Sequence, residues 1–171
     1  FGGKARQTLV AETRVSARST DAFGVPLRRF LRGEIDTKVE ASGGARGFDR
    51  VTVNADLQSA MLVFEDGRVL KPEGVPGTIS MDIGLPDDAP VLKIDRLQLS
   101  TPMANIEGNA RFTPAGGLID LDLPRFWLED IADFSLRVTP TDDQLRVSVI
   151  GSMMDASGLI DPMLNYRPGG G

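Results

Sequence analysis

Gly77-Thr78-Ile79-Ser80-Met81-Asp82-Ile83-Gly84-Leu85 decides the fold. Ile79, Met81, Ile83 and Leu85 alternate with Thr78, Ser80, Asp82 and Gly84, a period of two that a strand with one apolar face requires and a helix does not present. Asp87 and Asp88 then mark a turn. Alternation resumes with Leu92 and Ile94, slips by one residue at Asp95 and Arg96, and continues through Leu97 and Leu99, as it does across a β-bulge. The next run sets Ala104, Ile106, Gly108, Ala110 and Phe112 against Asn105, Glu107, Asn109 and Arg111, and ends in Pro114 and Gly116-Gly117. Ile119, Leu121 and Leu123 oppose Asp120 and Asp122; Phe134, Leu136 and Val138 oppose Ser135, Arg137 and Thr139; Leu145, Val147 and Val149 oppose Arg146 and Ser148. These are short, half-buried antiparallel strands joined by tight turns such as Thr141-Asp142-Asp143.

Toward the start of the chain the same period recurs with more noise in Leu9, Ala11, Thr13 and Val15, in Ile35, Thr37, Val39 and Ala41, and in Val51, Val53, Ala55 and Leu57. Between the first two runs, Leu27, Phe30 and Leu31 follow Pro26 at helical spacing, which predicts one short helix. The stretch from Phe126 to Phe134 fits a strand, a bulged connector or one helical turn. The expected fold is therefore all-β: an antiparallel meander of short strands forming a curved sheet or open groove with one apolar face and at most one short helix. With 171 residues and 41% hydrophobic content, residues 1–171 read as a single β-rich segment.

Composition narrows the chemistry. Nineteen Lys and Arg against 24 Asp and Glu leave a formal charge of −5, with both signs mixed along the chain, which argues against nucleic acid as a partner. The absence of Cys and His removes thiol nucleophiles, the usual zinc sites and the commonest proton shuttle near neutral pH. Asp120 and Asp122 sit two apart on one strand face, and Glu129, Asp130 and Asp133 gather near Trp127, the only Trp. Neither group has a partner of catalytic chemistry, and both read as a solvated sheet face. Gly43-Gly44-Ala45-Arg46-Gly47 lacks the Lys-Ser/Thr of a phosphate loop and reads as a hairpin tip. No catalytic residue, metal site or cofactor is expected. The apolar runs fall far short of the ~20 residues that span a bilayer.

An antiparallel sheet with one apolar face must cover it with a second sheet, a helix or a ligand. A closed β-sandwich of structural or adhesive role is one outcome; a trough holding acyl chains is the other. A seven-residue strand spans about 24 Å at ~3.4 Å per residue, more than the ~15 Å of half a bilayer's hydrocarbon core. In that second outcome the lining consists of Ile79, Met81, Ile83, Leu92, Ile94, Leu97, Leu99, Ile106, Ala110, Phe112, Leu121, Leu123, Phe134, Leu136, Leu145, Val147 and Val149. Arg28, Arg29 and Arg32 would meet lipid head groups at the rim, since guanidinium groups bind phosphate in bidentate fashion.

Several short stretches, in order along the chain, also carry a resemblance. They are Phe30-Leu31-Arg32-Gly33-Glu34-Ile35, Asn54-Ala55-Asp56-Leu57 with Ala60, Leu70-Lys71-Pro72-Glu73-Gly74-Val75-Pro76-Gly77, Ile106-Glu107-Gly108-Asn109-Ala110, Leu123-Pro124-Arg125-Phe126, Asp133-Phe134-Ser135-Leu136-Arg137-Val138, then Gly151 and Asp155-Ala156-Ser157-Gly158-Leu159-Ile160. Together they resemble the AsmA-like superfamily, in particular its large envelope proteins with a DUF3971 region. The resemblance implies a periplasmic segment of a longer protein anchored in the inner membrane of a Gram-negative bacterium, its anchor lying outside this stretch. It implies a β groove that moves phospholipid toward the outer membrane, with the remaining β segments of the same chain as partners, and no catalytic residues. The opening on Phe1 rather than Met suits such an internal piece.

Overall fold

A computed structural model of the protein describes residues 5–16, 30–63, 67–85, 91–115 and 117–153. Eleven strands hold 75% of the described residues, and none is helical. The strands are β1 (Gln7–Ser16), β2 (Leu31–Gly44), β3 (Gly47–Asp56), β4 (Ala60–Val63), β5 (Val69–Lys71), β6 (Thr78–Gly84), β7 (Leu92–Thr101), β8 (Ala104–Phe112), β9 (Leu118–Leu128), β10 (Ala132–Pro140) and β11 (Leu145–Met153).

All pairings are antiparallel, and the long sheet runs β11-β10-β9-β8-β7-β6-β3-β2, with β1 also on β2. Sequence neighbours pair throughout except where the small β4–β5 hairpin intervenes, so that β6 returns to β3. Strand β2 serves two partners: Glu34–Gly43 pair with β1, while Leu31, Arg32 and Gly33 pair with Leu62, Met61 and Ala60 of β4. Gly33 sits at the changeover with φ +95, a backbone conformation that other residues adopt only under strain. The sheet is not closed.

The short helix expected around Leu27 to Leu31 is not formed at its described end, because Phe30 is in a turn and Leu31 opens β2, paired with Leu62. Leu27, Arg28 and Arg29 lie outside the described residues. Leu31 and Ile35 are buried together with Leu57, Ala60 and Leu62, and a strand beside β4 satisfies that burial better than a helical turn. From Phe126 onward the chain continues as strand to Leu128, turns, and re-enters the sheet at Ala132, with Asp130 at φ 58 in the turn. The glycine-rich Gly43–Gly47 stretch is the β2–β3 hairpin tip.

Two strands carry an extra residue that both of their neighbours accommodate. On β7 the register advances from Ile94 to Leu97 while β8 moves only from Ala110 to Gly108, which places a bulge at Asp95 and Arg96, where the alternation slips. On β9 it advances from Asp122 to Arg125 opposite Asn109 to Glu107, and from Leu123 to Phe126 opposite Leu136 to Phe134. Pro124 falls inside that irregularity, which explains a proline in a central strand: it has no N–H to give to a ladder. Bulges bend a strand and raise its twist.

Candidate functional site

Residues directly opposite in an antiparallel ladder point to the same side of the sheet, so the register turns the alternation of single strands into rows that cross the whole sheet. One row runs Thr13, Thr37, Ala55, Ile79, Leu99, Ile106, Phe126, Phe134. The next runs Ala11, Val39, Val53, Met81, Leu97, Gly108, and the third Leu9, Ala41, Val51, Ile83, Ile94, Ala110, Leu121, Val138, Val147. Leu92 pairs with Phe112 and Phe112 with Leu118 in a fourth. The apolar positions expected from sequence thus share one face, and β1, β2 and β3 extend it with Val39, Ala41, Val51 and Val53.

That face has two halves of different character. Over β8 to β10, Ala104, Leu123, Phe126, Leu128, Ala132, Phe134, Leu136 and Val138 form a buried cluster, with Phe126 and Phe134 stacked at 4.6 Å between ring centroids. Ala110 is buried as well, while Ile106, Leu121 and Val149 pack on the cluster half-buried. Over β2, β3, β6 and β7, by contrast, Val39, Val53, Ile79, Met81, Ile83, Ile94, Leu97 and Leu99 are all only half-buried, as is Phe112 on β8. At the strand ends farthest from the β4–β5 hairpin, Leu9, Phe48, Leu85, Leu92, Leu145 and Val147 are exposed, Leu9 to 57%. The chain's total accessible surface is 11,225 Å², against about 8,200 Å² for a compact protein of its mass. That total includes the segments outside the described residues.

The opposite face is polar and paired across strands, apart from the exposed Val10 and Ile150. Arg14 donates from Nε to Asp36 at 2.7 Å, Thr52 donates to Asp82 and Arg96 pairs with it, Arg111 pairs with Asp120, and Arg137 pairs with Asp122 at 3.4 Å. The Arg14 guanidinium holds the Asp36 carboxyl below its usual range, and Asp36 in turn raises Arg14. Asp120 and Asp122 are therefore each taken by an arginine of a neighbouring strand rather than poised as a pair. Trp127 lies opposite Asn105 and Asp133, on this polar side. Two crevices are of mixed lining: one has Glu12, Lys38, Asn54 and Asp56 beside Ala55 and Ile79, the other Lys93, Asp95 and Asn109 beside Ile94 and Leu121.

Lys71 is the one charged side chain among the described residues that is fully buried. Its Nζ donates to the carbonyls of Ala60 at 2.6 Å, Pro72 at 2.8 Å and Val75 at 2.8 Å, which uses all three of its protons. Its stem passes Gly77, where a Cβ would come within 3.1 Å of the Lys71 Cδ. Burial lowers its pKa, and Asp56 and Glu73 partly counter this. Beside it, Leu70 packs against both apolar clusters, so the β4–β5 hairpin walls one side of the face. No sequence signal marked Lys71, because a lone lysine in a Pro/Gly-rich stretch reads as solvated. Of the expected head-group contacts, Arg28 and Arg29 lie outside the described residues and Arg32 is exposed on β2.

Family models, curated proteins and solved structures yield no match to the chain. Its function has to be argued from the face itself. Among the described residues no group of three or more acidic side chains is placed to hold a metal ion, and no helix is long and apolar enough to cross a membrane.

Proposed function

We propose that the chain is a non-enzymatic segment of an AsmA-like, periplasm-spanning envelope protein whose apolar β face holds and conducts phospholipid acyl chains between the inner and outer membranes. The observation that carries this reading is the half-exposed state of apolar rows that cross at least five strands without a second sheet over them among the described residues. Such a face, left to water, forfeits about 25 cal/mol for each Å² of apolar area. Apart from Thr13 and Thr37, the rows present hydrocarbon and thioether, and the occupant they suit is hydrocarbon. The order of the short motifs supports the family, its inner-membrane anchor outside this stretch, and pairing with further β segments of the same chain.

The buried β8–β10 cluster favours a second reading, in which the whole face belongs to a closed structural or adhesive sandwich. Native mass spectrometry of protein purified from bacterial cells, followed by lipid extraction, separates the two. Phospholipid retained by the wild type and lost from Met81→Asp, with strand content intact, is the outcome expected. A lipid-free wild type, with Met81→Asp unfolded, would establish the closed core instead.

A further inference from the structure

We propose that the edge strand β11 is a self-association surface, taken up antiparallel by β11 of a second copy of this chain, with Ile150 facing the partner's Ile150 across a two-fold axis. The proposal does not rest on the lipid reading, and it leaves the β1 edge for further β segments of the same chain.

A sheet that is not closed ends on strands whose outer backbone N–H and C=O groups have no ladder, and what satisfies such a row is another extended strand. Among the described residues the long sheet ends on β11, paired with β10 alone, and on β1, paired with β2 alone. The two edges are guarded differently. β1 has Glu12 and Arg14 near its middle, and charges there deter a strand that does not match them. β11 has one charge, Arg146, next to its start, and no proline. Its register on β10 runs from Pro140 opposite Leu145 to Ala132 opposite Met153 without a bulge. It therefore lacks the devices by which sheet edges are kept apart.

Ile150 sets the register. It is 72% exposed, more than any other large apolar side chain among the described residues, and it lies on the polar face opposite Ser135 and between Ser148 and Ser152. Residues directly opposite in an antiparallel pair share a face, so a two-fold axis normal to the sheet keeps the apolar sides of both copies together only if it falls at a residue and not between two. Placed at Ile150, it sets Val149 against the partner's Gly151, Ser148 against the partner's Ser152 and Val147 against the partner's Met153. Moved to Val149 or Gly151, it would set Ile150 against a serine. The two Arg146 backbones then stand about 27 Å apart, eight residues at ~3.4 Å, well beyond the ~10 Å over which exposed charges act in 0.1 M salt. Self-pairing at Ile150 thus covers the exposed isoleucine, opposes no like charges, and carries the apolar rows from one copy into the next.

Sedimentation velocity of the full chain over a range of concentrations tests this, with circular dichroism checking the strand content of each variant. The wild type should pass from monomer to dimer as its concentration rises. Ile150→Lys should weaken dimerisation by about tenfold or more, because two ammonium groups would replace an apolar pair. Val10→Lys, at an exposed position of the β1 edge, should leave it unchanged. The chain has no cysteine, so single cysteines introduced into it report the register under mild oxidation. Ile150→Cys should give a disulfide-linked dimer, since opposed strand residues have Cα atoms ~4.5–5.5 Å apart, within the reach of a disulfide. Ser148→Cys, whose two copies would stand about 14 Å apart along the strands, should not. A wild type that stays monomeric at every concentration would overturn the proposal, as would a dimer lost in Val10→Lys and kept in Ile150→Lys. Cross-linking of Ser148→Cys in place of Ile150→Cys would overturn the two-fold at Ile150.

Discussion

Replacing Lys71 by Met keeps most of the length of the stem that runs past Gly77 and removes the ammonium shared by three carbonyls. A buried polar group left without a partner costs about 1–3 kcal/mol. The bond to Ala60 is buried, so that carbonyl bears the full penalty; those to Pro72 and Val75 are only partly buried, and water can replace the lost donor there. Allowing about 2 kcal/mol for the first and about 0.5–1 kcal/mol for each of the others, and setting against this the relief of no longer desolvating a charge, the net loss is about 3 kcal/mol. For a chain of this size that corresponds to a fall in Tm of about 6–12 °C. Urea unfolding followed by Trp127 fluorescence and far-ultraviolet circular dichroism measures it, with the midpoint shifting and the slope unchanged. A loss below about 1 kcal/mol would refute the clasp, since desolvation of the ammonium would then cancel its three hydrogen bonds.

The same lysine gives a pH signature: because burial lowers its folded-state pKa below 10.5, the folded state releases the proton first, so a pH-dependent increment of stability, the relief of desolvating the charge, is fully present above pH 10.5 and lost as pH falls through the folded value, below which the ammonium and its three hydrogen bonds remain. The urea midpoint of the wild type relative to Lys71→Met should therefore rise with alkaline pH, and a parallel pair of curves would contradict it. Phe134→Ala should cost about 3–5 kcal/mol, as truncation of a buried aromatic does, while Met81→Ala on the half-exposed rows should cost less than about 2 kcal/mol; equal losses in urea titrations would mean the two halves are equally packed. Gly108→Ala should destabilise by about 1–3 kcal/mol through overpacking against Leu123 and the Asp122 carbonyl, and calorimetry showing no change would place that backbone farther apart than described. Asp120→Asn with Asp122→Asn should cost less than about 1 kcal/mol per pair, as exposed ion pairs do, and leave lipid retention by native mass spectrometry unaltered.

Strand parity was legible in the sequence wherever side-chain chemistry alternates without interruption, as in Thr78 to Gly84, and the register then placed Ile79 beside Leu99 and Met81 beside Leu97 with no residue out of face. The bulge on β7 was legible too, because Asp95 and Arg96 interrupt the alternation. The equivalent slip on β9, from odd Leu121 and Leu123 to even Phe126 and Leu128, is present in the sequence, but Pro124 obscures it by suggesting a break. The short β4 and β5 escaped notice because four and three residues are too few to show a period, and helical spacing misled at Phe30 and Leu31 because a strand entering a hairpin also buries alternate positions. Which half of the face is filled was not legible at all. Leu136 and Leu97 look alike in sequence; their difference in burial comes from the Phe126–Phe134 stack and the bulges around it, which only three-dimensional packing assembles.

The bulges on β7 and β9 also determine where the gene can gain or lose a codon without harm to the fold. Elsewhere in a strand, loss of one residue would swap inside for outside along everything between that point and the next turn. At Asp95 or Arg96 it would instead remove the surplus residue, because Ile94 and Leu97 already face the same way across it and would continue to do so. The stretch from Asp122 to Arg125 offers the same tolerance against both β8 and β10. These are places at which the sheet's inside-outside frame is reset, as are the register shifts at Asp49 on β3 and Ile119 on β9, and length changes within strands that leave a working face should be confined to such positions.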